Sequence, residues 1–346
     1  MKQWVSILII AATYVGTVVG AGFATGKEIV TFFSVNGAFG AIGIAISGFL
    51  FILAGTKIMV ISARIQAYSY QDLNTYLFGN KLGKVVNSFI FVIVVCITSV
   101  MLSGAGAVFH EQIGLPFQLG VVVTLLFSYT VLLKGLKGIY AINSYIVPLM
   151  IIFSLFVAGS LFDLYPQEFL KHMIPDHFPD SLSWTVSPLA YASFNLMTAQ
   201  VVLVPLGKEI RDERILRWGG FLGGLVLFLI LLGGHFSLSV FPETFPYEIP
   251  MAEIVKSFGT FIHILFLFII YGEIFNSVVG NVFGIARQIE TVFNFRYHHG
   301  VVLILFAVFL ISQVGYGRLL STLYPLFGYL GLVLLICLLA KKLPAR

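Results

Sequence analysis

Glu273, Asn276 and Ser277 stand at i, i+3 and i+4 in the middle of an apolar stretch, so a helix would carry them on one face. Three oxygen-bearing side chains on one face suit a hard cation such as sodium, and the same face suits a proton relay. A carboxylate in the middle of a membrane segment is costly, or stays protonated, unless it is paired or hydrated. A second charged pair, Lys27 and Glu28, follows Gly16-Thr17-Val18-Val19-Gly20-Ala21-Gly22-Phe23-Ala24-Thr25-Gly26. Four glycines in eleven residues weaken a helix, each by about 1 kcal/mol relative to Ala. Glycine clustering beside intramembrane charge points to a discontinuous helix that lines a cavity, with Lys27 and Glu28 as gate candidates. Unwound backbone leaves peptide groups open, and half-helix N-termini favour a carboxylate, which suits amino acids.

Other reactive residue types lead nowhere comparable. Ser99 and Ser103 share a face and are candidate cavity-lining groups, Ser103 being assigned to the substrate site. His235 and His263 have no metal-ligand company, and Cys96 and Cys337 sit in separate apolar runs, so neither a disulfide framework nor a metal site beyond sodium is implied. There is no nucleophile–base pair, phosphate-cradling loop or Walker motif, which argues against an enzyme, an ATP-driven pump and any bound cofactor.

The elements that must position these residues follow from composition. Of 346 residues, 59% are hydrophobic and only 10% charged, against roughly 25% charged in soluble domains. The net charge of +5 reflects basic loops. No basic cluster carries an aromatic stacking platform, so nucleic acid is not an expected partner. Windows of about 20 apolar residues predict ten membrane spans: 4–34, 38–63, 85–109, 117–134, 138–162, 184–206, 215–240, 259–286, 299–314 and 319–340. The first is read as a retained span rather than a cleaved signal. With both termini in the cytoplasm, fifteen Lys and Arg fall on the inner side and only Lys171, Lys256 and Arg318 outside, with Lys27 and Lys57 inside spans. Lys57 is expected to snorkel to the headgroups. Trp4, Trp184 and Trp218 mark span ends. The outer loops 163–183 and 241–258 are the longest on their side, and the second reads as a cap over a vestibule.

Ten spans divide into two five-span halves, 4–162 and 184–340, within one transmembrane domain. An odd count per half inverts the second relative to the first, as in inverted-repeat transporters. The repeated Gly-Lys-Glu-Ile at 26–29 and 207–210 is read as chance. Symmetry predicts a second discontinuous helix at the sixth span, where Tyr191-Ala192-Ser193-Phe194-Asn195-Leu196-Met197-Thr198 is polar.

Gly20-Ala21-Gly22, followed by Asn36-Gly37-Ala38-Phe39, resembles the first span of the neurotransmitter:sodium symporters. The whole arrangement is similar to the LeuT fold of the amino acid–polyamine–organocation superfamily, and the Gly-Ala-Gly-Phe-Ala-Thr-Gly-Lys-Glu start resembles the YkvI-like bacterial membrane proteins. This resemblance implies an unwound segment on Gly20, Ala21, Gly22 and Phe23, with Ala24 and Thr25 beside it, and a sixth-span contact from Ser193, Phe194 and Asn195. It also implies a sodium site built from carbonyls near Gly16 and Val19 with Glu273, Asn276 and Ser277. The symporters' asparagine after Gly-X-Gly, a ligand of a first sodium, is Phe23 here, which argues against that site. Some proton-coupled relatives carry a fifth-span lysine at the cation position, where this chain has Asn143 and Ser144; that favours sodium.

The expected protein is therefore a plasma-membrane secondary transporter of an amino acid or related zwitterion, coupled to sodium or protons. A non-transporting solute sensor on the same scaffold is the alternative. The lipid bilayer and a small-molecule substrate are its expected partners.

Overall fold

The computed structural model describes residues 2–133, 136–167, 183–210, 212–293 and 295–345. Lys134, Lys171, Arg211 and the greater part of the 163–183 loop lie outside the described residues, as do the side chains of Lys137, Asn143, Ser144 and Arg287.

The described residues form an all-helical bundle. Seven helices are long and apolar enough to cross a membrane, and three shorter apolar helices, Gln3–Val18, Phe117–Leu133 and Tyr297–Ser312, complete the ten expected spans. The fourth and ninth are short, as their apolar windows predict. The third begins earlier than expected: a helix runs Tyr70–Ala107 across a kink at Gly79 (φ 77°), opened by a Ser69/Asp72 capping box. Polar residues at 70–84 hide that extension from an apolar window.

The first span is in three pieces, Lys2–Val18, Ala21–Ala24 and Lys27–Phe32. Gly20 is extended (φ −122°, ψ −170°), and Gly26 is left-handed (φ 82°), a conformation that disfavours a side chain. The second span, Ala38–Ile65, carries a π-turn at Phe51–Gly55. Tyr14 packs into that turn against Gly55 and donates its hydroxyl to the Phe51 carbonyl at 2.8 Å, satisfying a group that the irregular winding would orphan.

The sixth span corrects an expectation. Ser183–Ile210 is one continuous helix, despite Pro188 and Pro205. Its polar residues bond back to their own helix: Asn195 Nδ2 to the Tyr191 carbonyl at 3.0 Å, Ser193 Oγ to Leu189, and Thr198 Oγ1 to Phe194 at 3.2 Å and Asn195 at 3.0 Å. Such back-bonding lets polar residues sit in an unbroken membrane helix. Against this helix lies the tenth span, Tyr316–Ala340, where Gly328 and Gly331 permit close approach to Ala190 and Ser193.

Two ends close the bundle. On the side of the 241–258 loop, Lys27 Nζ donates to the carbonyls of Phe245 (2.9 Å) and Tyr247 (2.7 Å), and the Met251 N–H to Thr25 O (3.0 Å). The Glu111 carboxylate accepts from the N–H groups of Glu248 and Ile249 at 3.0 and 3.1 Å. On the basic side, Arg64 holds Glu213 (Nε–Oε1 2.8 Å), and Lys57 donates to the Leu339 carbonyl at 2.9 Å, tying the second span to the tenth.

Candidate functional site

The interruption of the first span sits at the centre of the bundle, where Ala21, Gly22, Phe23 and Ala24 are buried. With no carbonyl placed for it, the Ala21 N–H donates to the sulfur of Met101 in the third span at 3.3 Å. Thioether sulfur is a weak acceptor, so this peptide donor is one that a better acceptor would claim. Thr25 bonds the Tyr316 hydroxyl at 2.7 Å, tying the second interruption to the tenth span.

The two gate candidates part company. Lys27 points to the loop. Glu28 turns inward and is 2% exposed. Its side chain folds against Gly22, where an added Cβ would stand 2.6 Å from Glu28 Cγ and closer still to Oε1. Glycine at 22 therefore makes room for the Glu28 carboxyl at the opened backbone. Three phenols, Tyr191, Tyr316 and Tyr324, lie within electrostatic reach of it. Tyr191 faces the carboxyl without bonding it in good geometry, and Glu28 Oε2 and the hydroxyls of Tyr191 and Tyr324 are buried with no hydrogen-bond partner. Buried polar atoms are nearly always satisfied, so a cluster of three orphans marks a place for something else.

The second polar face lies on the eighth span, Thr260–Phe293. Glu273 is fully buried, and both its carboxyl oxygens lack a hydrogen-bond partner. Ser277 approaches the interruption: its hydroxyl would lie 3.8 Å from a Cβ at Gly20. Gly16 packs on Val147 and Gly272 on Ile146, so the fifth span lies against both the first and the eighth here. The Ser103 hydroxyl, on the third span, is also buried without a partner, whereas Ser99 bonds Val95 O at 2.9 Å. Ser193 and Asn195 spend their hydrogen bonds on their own helix, and Phe194 faces Tyr324 with ring centroids 4.7 Å apart. Val19 keeps a helical bond to Val15 O at 2.8 Å.

Sequence reasoning missed Tyr324 and the direction of Glu28. A tyrosine in an apolar tenth span carries no local signal, because its hydroxyl matters only through a first-span carboxyl within its electrostatic reach. A cavity of ≈ 20 Å³ between Phe23, Ile29, Phe153 and Phe266 has room for about one water. Phe32 stacks 6.1 Å from Phe194 and packs at a tilt 5.2 Å from Tyr191, so aromatic rings gather at the centre.

Comparison with known proteins places this geometry. The structure superposes on the manganese transporter of Eremococcus coleocola (TM-score 0.70, 16% identity, 96% of this chain and 78% of that one). MhsT in complex with L-phenylalanine is equally similar (TM-score 0.70, 16% identity, 94% and 87%). Mhp1, a nucleobase-cation-symport-1 family transporter in a closed conformation, matches at TM-score 0.60 (13% identity, 89% and 71%). The chain is thus an all-α, multi-pass membrane protein with the LeuT fold and a broken first span. No family model matches it. In sequence it is 44% identical to "Uncharacterized membrane protein YkvI" of Bacillus subtilis (strain 168) over 337 residues, 97% of this chain and 96% of that protein. "Uncharacterized protein YyaD" of the same organism is 25% identical over 94% of this chain and 93% of its own length. The protein belongs to the YkvI family of membrane proteins.

Proposed function

We propose that the protein is a secondary transporter that carries a small amine-bearing solute, of the amino-acid and related-amine class, across the plasma membrane by alternating access. The observation that carries this reading is the buried interruption of the first span, whose Ala21 N–H has only a sulfur acceptor and whose neighbouring Glu28 has an orphaned oxygen. Irregular backbone at membrane depth is tolerated where it lines a substrate path. Two of the fold neighbours are transporters by their names, and a third is bound to L-phenylalanine, which supports the reading. The basic side faces the cytoplasm with both termini, and the loop side faces out. The two five-span halves, 4–162 and 184–340, rock about the site. Glu273, Asn276 and Ser277 with the carbonyls near Gly16 and Val19 form the coupling site for sodium or a proton. Solute counterflow in proteoliposomes tests this: labelled amino acids and amines are expected to exchange, and no exchange with any of them would remove the reading.

A further inference from the structure

The proposed transport function leaves open which end of its passenger meets the opened backbone, and the position of Glu28 decides that. We infer that Glu28 is the anchor for the ammonium group of the passenger, and that the site is built for a small organic cation without a carboxylate. This rests on the transporter reading for its context, but concerns binding alone.

Three observations converge. First, the space beside Gly22, where a passenger carboxylate would approach the opened peptide groups, is filled by the protein's own carboxyl. A second carboxylate there would compete with the Glu28 carboxyl for the same space, and would bring no cation to offset the cost of ionising it. Second, the under-satisfied atoms are oxygens: Glu28 Oε2 and the hydroxyls of Tyr191, which lies within reach of that carboxyl, and Tyr324. An ammonium brings three donors and no acceptor, which matches three oxygens and balances the carboxylate. Among the described residues no Lys, Arg or His pairs with Glu28; Lys27, its neighbour, is held by the loop carbonyls. Third, the walls are aromatic. Phe32, at i+4 from Glu28 on the same helix, packs with Tyr191 and Phe194, and Phe194 with Tyr324 at 4.7 Å. Ring faces attract cations, and more so when desolvated. A transition metal is the poorer occupant, because no group of three or more His, Cys, Asp or Glu is gathered anywhere among the described residues.

The test uses the full-length protein in nanodiscs, with binding read by thermal shift and calorimetry. The probes are matched pairs: phenethylamine against L-phenylalanine, isoamylamine against L-leucine, and cadaverine against L-lysine, with Mn²⁺ alone as a further arm. At least one decarboxylated amine is expected to bind tenfold or more tightly than its parent amino acid. Glu28→Gln should weaken that amine by about tenfold or more, the scale of a lost hydrogen bond to a charged group. Asp163→Asn, an exposed carboxylate at the end of the fifth span, should leave it within threefold. Tyr324→Phe keeps the ring and is expected to weaken the amine less than Glu28→Gln, which guards against a Glu28 variant that fails to fold. Parent amino acids binding as tightly as the amines, Mn²⁺ binding in their place, or amine affinity indifferent to both the Glu28 and the Tyr324 substitution would each overturn the inference. Amine binding without flux in proteoliposomes would keep this inference and remove the transporter reading. Exchange of amino acids alone would do the reverse.

Discussion

The first and sixth spans both carry polar residues at the centre of the bundle, yet one is broken in two places and the other runs unbroken for 28 residues. The difference lies in what each does with its hydrogen bonds. In the first span glycine removes the helix-forming bias, so peptide groups reach outside for partners, Ala21 to a methionine sulfur. In the sixth, Ser193, Asn195 and Thr198 turn their side chains back onto carbonyls one turn earlier, which leaves the backbone ladder intact. Polar sequence inside a membrane does not by itself mean open backbone. Glycine beside a buried charge does, because neither can be satisfied locally.

That contrast can be broken from the first-span side with the largest effect. Gly22→Ala puts a methyl where the Glu28 carboxyl lies, and solute counterflow is expected to fall more than tenfold while the protein stays monodisperse on size exclusion; unchanged counterflow would mean that the contact does not matter. Glu273→Gln comes next. It should abolish the dependence of transport on the coupling ion, measured as uptake at varied sodium and pH, and an unaltered ion response would remove the eighth-span site. On the sixth span, Asn195→Ala should change counterflow by less than threefold, because its amide is already spent on Tyr191 O at 3.0 Å. A tenfold loss there would restore the sixth span as a binding element.

The smallest effect concerns the loop. Glu248, outside the spans, has its carboxyl pushed above the usual carboxylate range by burial, with the Gly317 N–H bond opposing and Glu111 adding to the rise. A folded value above the unfolded one favours the neutral form in the closed loop. The contribution to closure is therefore complete at acid pH and lost as pH rises through the folded value. Protease resistance of the 241–258 loop should fall modestly between acid and neutral pH in the parent and stay flat in Glu248→Gln; identical profiles would remove Glu248 as the cause.

Much of this was legible in the residues. Apolar windows and the bias of Lys and Arg located ten spans, and the glycine spacing at 16, 20, 22 and 26 located the break. Glu273 announced itself as a charge in an apolar run. Three things were not legible. The continuity of the sixth span depends on side-chain rotamers, which spacing does not encode. The direction of Glu28 depends on the left-handed turn at Gly26, which rotates Lys27 and Glu28 relative to the helix before them. The electrostatic influence of Glu28 on Tyr191 and Tyr324 joins three spans far apart in sequence.

The central claim is that a passenger completes the opened first span at Glu28. The most direct measurement is counterflow of labelled amines and amino acids into proteoliposomes, with the parent beside Glu28→Gln. Exchange by the parent and at least a tenfold loss in the variant are expected. A well-folded parent that exchanges none of these solutes, or a variant that exchanges them as fast as the parent, would contradict it.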